Sequence, residues 1–386
     1  MLTAYSYYKL SLAYPNAGGT VHFMNIGFGK NIFSGSINNL LWISYIIMLS
    51  LYSTAFGSYA GNLFSITGNI NIDQHIFIST IIIIATALNY FSVKVVGETE
   101  KYVVGLKVVI LSLFVVIGGW GLMQSSYQMQ LLPEYYSSAT KLIAGGFVIF
   151  VAYEGFELIA NTSPYIQNPK KNIRLAYLIA VVFVIVLYVL IAIITVGSLS
   201  FDMISKSQDY VLAEAAKPFL GQTGFVIITI AALLSTFSAI NATIYGGSRV
   251  NYEMALDDEL PNEFTRMFWK QPVGLMVTSV LTLIIANTFD LESIATTGSI
   301  GFLLIFAMVN FVSAKKSREI NSSKIISYLG FGLCLIAVFI MISEQLKQNL
   351  RGTLIALGIV LFTFVVEVVY RVFFLKKIIV SQKKNR

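Results

Sequence analysis

The chain is predicted to be an all-α polytopic membrane protein with about eleven transmembrane segments, on three observations. Hydrophobic residues make up 56% of its 386 positions and charged residues 12%, about half the charged share usual in soluble domains. Mean hydropathy is +0.76, more apolar surface than one globular core absorbs but what a bundle of membrane spans requires. Apolar runs recur along the whole length, roughly at 1–14, 33–63, 76–96, 101–122, 141–161, 174–197, 222–248, 272–289, 292–314, 325–343 and 352–375.

Charge placement supports this count. When the intervening loops are alternated between two sides, twenty of the 26 basic residues fall on one side. Among them are Lys30, Lys94, Lys101, Lys170, Lys171, Arg249, Lys270, Lys315, Lys316 and the six most C-terminal. Lys141, Lys206, Lys217, Lys347 and Arg351 fall on the other side, and Lys107 lies inside a span. Excess basic charge marks the cytoplasmic side, so the C-terminus is expected in the cytoplasm and the N-terminus outside. The net charge of +7 therefore reads as topology and not as nucleic-acid binding.

Taken in order, the first span is short. MLTAYSYYKLSLAY includes Lys9 and runs into Pro15-Asn16-Ala17-Gly18-Gly19, whereas crossing takes about 20 apolar residues. The loops are brief throughout, with no soluble domain. Residues 209–217, DYVLAEAAK, are predicted as a short amphipathic helix outside, with Asp209 as its N-cap. Trp120 and Trp269 fall near span ends, where interfacial aromatics belong. Lys376-Lys377 and the closing QKKNR form a basic cytoplasmic tail, 376–386.

The span 142–161, LIAGGFVIFVAYEGFELIAN, breaks the apolar pattern with Glu154-Gly155-Phe156-Glu157. Glycine between two carboxylates weakens a helix and buries charge, so a protein-lined or water-lined cavity is expected at that depth. Discontinuous helices of this kind build transport sites. The i,i+3 spacing of Glu154 and Glu157 places them on one helical face, bordering a cavity, a cation or a transferable proton; the alternative is that the break carries one of them to solvent.

Lys107 is the second candidate. A mid-span lysine costs about 2.5–3.5 kcal/mol on insertion scales, offset by a partner, by water or by deprotonation. It is a candidate proton carrier or fixed cation, and the alternative is snorkelling to headgroups about 9 Å away. Glu367 precedes Arg371 by four residues, and an i,i+4 ion pair explains it without a functional role. Ser235, Thr236, Ser238, Asn241 and Thr243 lie together in one span. Helix packing accounts for them, and Ser235 and Thr236 are also candidate pathway residues. Gly145-Gly146 and Gly246-Gly247 read as close-packing points.

Absent signals narrow the classes. Two distant histidines, His22 and His75, and the single Cys334 give no metal-ligand set, no disulfide and no nucleophile triad. No phosphate loop is present, and no cofactor is expected. A membrane-embedded enzyme therefore lacks a reactive constellation.

Three ordered motifs resemble the amino acid permeases of the amino acid–polyamine–organocation (APC) superfamily. FVAYEGFELIANTSPYIQNPKKNI at 150–173 resembles the family's sixth helix and following loop. Tyr14-Pro15-Asn16-Ala17-Gly18-Gly19 is similar to the loop between its second and third helices, and SRVNYEMALDDELP at 248–261 to the stretch after its eighth. The segment Ser163–Gln167 departs from the family by lacking acidic residues, and no proline follows Asn172-Ile173.

The resemblance implies an inverted five-helix-repeat fold with two extra helices. Residues 1–122 would be the remainder of the first repeat (helices two to five), 141–314 the second repeat, and 325–375 the two C-terminal helices. The family's first helix, symmetry mate of 142–161, would then lie outside the sequence, leaving the first repeat incomplete. The implied substrate is an amino acid or related amine. Its amino group would meet backbone carbonyls at the break, with Phe150, Ala152, Tyr153, Glu154 and Gly155 around it and Phe156 as gate. GETEKYVVGLKVVIL resembles the fifth helix, where proton-coupled members carry a lysine, which assigns proton coupling to Lys107. The implied function is a secondary active permease of the cell membrane working by alternating access, with the proton as coupling ion. The rival is a non-transporting sensor or assembly partner that kept the fold.

Overall fold

In the computed structural model, residues 1–91, 93–207, 209–265, 267–268 and 271–375 are described. The predicted basic tail 376–386, Trp269, Arg266 and Lys270, and the side chains of Lys94 and Lys101, lie outside them.

Helices dominate, in the order α1 (Leu2–Ala13), α2 (Thr20–Phe28), α3 (Ile32–Leu63), α4 (Ile70–Phe91) and α5 (Val93–Leu122). Then come α6 (Ala139–Val148), a 3-10 segment Ile149–Tyr153, α7 (Leu158–Thr162), α8 (Pro169–Ser198), α9 (Phe201–Lys206) and α10 (Val211–Leu256). The last four are α11 (Val273–Thr288), α12 (Leu291–Lys315), α13 (Lys324–Gln348) and α14 (Leu350–Val369). A two-residue ladder pairs Met267–Phe268 antiparallel with Gln271–Pro272.

Among the described residues, nine helices are long and apolar enough to cross a membrane, counting the interrupted 139–165 as one. The two other predicted spans are shorter: α1 has 12 residues and α11 has 16. The 9-residue α2 was not anticipated.

Local chemistry sets several boundaries. Asn31 caps α3 in a reciprocal box, its side chain accepting from the Phe33 and Ser34 amides while Ser34 Oγ accepts from the Asn31 amide. Asn168 takes a left-handed conformation and Pro169 opens α8 at its first position, where proline costs no hydrogen bond. In α10, Pro218 and the non-helical Gly221 join two helices across a kink. The expected helix over 209–217 is the first of these, but its N-cap is Tyr210 without a side-chain bond, so Asp209 is not the cap. Asp209 instead accepts from Ser58 at 3.4 Å.

The core forms around α3 and α12, whose apolar windows are 61% and 78% buried. Helix α3 packs on α4, α10, α11, α12 and α14, and α12 packs on α1, α2, α13 and α14 as well. The window of α5 is 11% buried, and those of 139–165 and α8 are 17% buried each. Their outward side chains, such as Val116, Ile143, Ile179 and Val186, are apolar, as a lipid-facing surface requires. Gly246 and Gly247 abut Leu158 and Tyr45 and are packing points as expected. Gly145 and Gly146 are not: both are exposed, with nothing within 4 Å of an added Cβ.

Candidate substrate site

The helix starting at Ala139 fails in stages. It tightens into the 3-10 segment after Val148, and Glu154 is extended (φ −67°, ψ 162°). Gly155 follows at φ 108°, a region open to glycine and strained for a residue bearing Cβ. Ser299 of α12 clips the tightened turn, accepting from the Val151 amide at 3.1 Å and donating to Val148 O at 2.6 Å. A hydroxyl from another helix thus occupies backbone groups that the break releases.

The two carboxyl groups are held by α3. Tyr45 donates to Glu157 Oε1 at 3.3 Å, and Tyr52 donates to Glu154 Oε2 at 3.2 Å. Tyr45 and Tyr52 are seven residues apart, two turns along one helical face. The Gly155 amide adds a 2.7 Å bond to Glu157 Oε2. Glu157 is fully buried, and Glu154 Oε1 is buried without a hydrogen-bond partner. The two glutamates flank the break and are not one turn apart on a regular helix, which corrects the expectation drawn from i,i+3 spacing. Neither is carried to open solvent.

Beside them lies a cavity of about 630 Å³ lined by Phe150, Tyr153, Glu154, Phe156, Val184 and Tyr188, among others. Ala152 and Gly155 border it too. The Ala152 carbonyl accepts from the Tyr188 hydroxyl at 3.1 Å, so this freed carbonyl already has a donor. Phe156 packs into an aromatic cluster, 5.2 Å from Phe306 and 5.6 Å from Tyr7 between ring centroids. All six candidate substrate residues therefore surround one cavity.

Lys107 lies apart from that cavity, between α5 and α10. Its ammonium donates to Ser238 Oγ at 2.9 Å. One turn further, Asn241 Oδ1 accepts from Asn89 of α4 at 2.9 Å. Thr236 donates back to Ala232 O at 2.8 Å in its own helix, so Ser238, and not Thr236, meets the lysine. Ser235 is half-buried on the same helix. Sequence reasoning did not select Tyr45, Tyr52, Tyr188 or Ser299. Only the i,i+7 tyrosine spacing in α3 hinted at any of them.

The three motifs converge in space. A Cβ on Gly19, which has φ 49°, would lie 2.0 Å from Asn161 Oδ1 just beyond the break. A Cβ on Gly18 would lie 3.5 Å from the Glu253 side chain near the end of α10. Asn25 of α2 donates to Asp257 at 2.6 Å. Among the described residues no group of three or more histidine, cysteine, aspartate or glutamate side chains could hold a metal.

Comparison with known proteins decides the family. The family model described as amino acid permease matches residues 1–366. The chain belongs to the amino acid permease family. The permease is 36% identical over 378 residues to an uncharacterized protein of Methanocaldococcus jannaschii, covering 96% of this chain and 85% of that one. It is 28% identical over 375 residues to the inner membrane transport protein YbaT of Escherichia coli, covering 96% and 86%. To the branched-chain amino acid permease BcaP of Lactococcus lactis it is 23% identical over 332 residues, covering 79% and 69%. The permease is thus a multi-pass membrane transporter of a small-molecule substrate, and not an enzyme.

Proposed function

We propose that the protein carries amino acids or related amines across the cell membrane by alternating access, coupled to protons. The observation that carries the substrate reading is the extended Glu154-Gly155 break opening on the 630 Å³ cavity. Backbone groups and a carboxylate there complement an ammonium group, while Phe150, Tyr153 and Phe156 supply apolar contact. Phe156, joined to the rings of Tyr7 and Phe306, is the gate.

For alternating access, a bundle containing 142–197 would rock against a scaffold centred on α3 and α12. The contrast in burial supports this, because a segment with little buried surface moves at lower cost than one locked in the core. The two units would belong to inverted repeats, 1–122 and 141–314, followed by 325–375. Lys107 would carry the coupling proton, exchanging its bond to Ser238 as α5 and α10 shift. The basic-residue bias supports a cytoplasmic C-terminus.

The test is uptake of labelled amino acids into proteoliposomes with an imposed pH gradient. Accumulation that a protonophore collapses is expected. Binding and exchange without proton-driven accumulation would refute the coupling, and no binding of any amino acid or amine would refute the substrate class.

A further inference from the structure

We propose that Glu259 and Asn38 together form a proton-binding site at the end of the bundle where α10 terminates, separate from Lys107 and from the substrate cavity. Both side chains are essentially inaccessible, Asn38 at 0% and Glu259 at 1% exposure. They are joined on one limb: Asn38 Nδ2 donates to Glu259 Oε2 at 2.7 Å. On the other limb, Asn38 Oδ1 and Glu259 Oε1 are both buried acceptors without a hydrogen-bond partner. Two unsatisfied buried acceptors are costly. A single proton on Glu259 Oε1 removes the charge and supplies the donor that the amide oxygen lacks. A carboxylic acid and a primary amide are complementary in this way, each offering one donor and one acceptor.

The surroundings favour the protonated form. Burial raises the cost of a carboxylate here most, Glu367 and Asp257 add to it, and the Asn38 amide and Arg371 offset part of it. The Arg371 guanidinium is engaged through Nε with Glu367, which also accepts from Asn39 at 2.8 Å. Lys30 is paired with Asp257 at 2.8 Å, and Asn25 of α2 donates to Asp257 at 2.6 Å while its Oδ1 accepts from Asn38 Nδ2 at 3.4 Å. Burial, the largest influence, pushes the Glu259 carboxyl up to about 7, within the range where cytoplasmic pH varies. The segment is also fixed: Asp258 has φ 59°, the Glu259 amide donates to Met254 O at 2.8 Å, and Tyr370 donates to Leu260 O at 2.9 Å. A proton here latches the loop after α10 to α3 and to the last helix. Its release sets a buried carboxylate beside Asp257 and Glu367 and loosens that joint.

The experiment compares the wild type, Glu259→Gln and Asn38→Ala in detergent, by infrared titration of carboxyl bands and by thermal unfolding between pH 5 and 8. Glutamine keeps a partner for Asn38 but holds no titratable proton. A protonated-carboxyl band that titrates near pH 7 is expected in the wild type and is expected to vanish in Glu259→Gln. Because folding raises this carboxyl above its ordinary value of 4.5, the folded state binds the extra proton between about 4.5 and 7. Wild-type stability therefore falls as pH rises through that window, and the glutamine variant lacks this component. Asn38→Ala keeps the carboxyl and is expected to move its midpoint by about one pH unit, which also serves if the glutamine variant does not fold. A band unchanged in Glu259→Gln, or a midpoint unmoved in Asn38→Ala, would overturn the proposal. Neither readout requires transport, so the site stands or falls independently of the proposed coupling.

Discussion

Tyr45 donates its hydroxyl to Glu157 Oε1 from a helix 112 residues earlier in the chain. That bond, with the parallel one from Tyr52 to Glu154, fixes the interrupted helix to the most central part of the scaffold. Removing either hydroxyl leaves a buried carboxyl oxygen short of a donor, at a cost of about 1–3 kcal/mol. Tyr45→Phe and Tyr52→Phe should each lower the unfolding midpoint. Substrate affinity should fall more with Tyr52→Phe, since Glu154 and not Glu157 lines the cavity. Binding titration on the two purified variants decides between this order and its reverse.

Lys107→Ala should abolish pH-driven accumulation while leaving a folded protein. Ser238→Ala removes only the partner hydroxyl and should cost about 0.6–1.7 kcal/mol, the range for hydrogen bonds between membrane helices. It should shift the pH profile of uptake without eliminating it. Uptake and pH dependence unchanged in Lys107→Ala would return this lysine to a snorkelling role.

Gly19 and Gly29 offer a matched pair. Both have positive φ, at 49° and 80°, but a Cβ on Gly19 would strike Asn161 whereas Gly29 faces open space. Gly29→Ala should cost about 1–3 kcal/mol for backbone strain alone. Gly19→Ala should cost more and should also impair transport, because it pushes the turn after α1 away from the segment following the break. Equal losses in the two variants, in stability and in uptake, would show that the contact with Asn161 is immaterial.

Asn31→Ala should destabilise the start of α3 by about 1 kcal/mol through loss of the reciprocal cap. Hydrogen exchange should rise in the first turn of α3 and remain unchanged in its buried middle. Faster exchange along the whole helix would contradict a local effect.

Several features were legible because they depend on local chemistry. Apolar runs announce spans, so the boundaries of α3 and α12 lie within one residue of those expected, whereas the polar ends of two others hid their extent: α8 begins five residues before the expected 174 and α13 ends five residues after the expected 343. Glu154-Gly155 announces the break, since no regular membrane helix accommodates that sequence comfortably. The Glu367–Arg371 pair was readable from i,i+4 spacing. What it concealed was Asn39, 328 residues away, on the same carboxylate. Gly145-Gly146 shows the limit from the other direction: paired glycines resemble a packing motif, but only neighbours decide whether anything packs there. The same holds for Ser238 and Thr236, which are indistinguishable by type and differ in which way the helix turns them.

By itself, the sequence determined the class of the protein, its succession of spans, the position of the broken helix and, through three motifs, the resemblance to a permease family. These follow from composition and short-range pattern, because a bilayer imposes one solvent and one length on every crossing segment. Only the tertiary structure decided which side chains serve the break. Tyr45, Tyr52, Tyr188 and Ser299 come from helices distant in sequence, and hydrogen-bond partners across a bundle leave no periodic trace in the chain. It likewise brought Asn38 to Glu259, where two unsatisfied oxygens turn an ordinary loop glutamate into a candidate proton site.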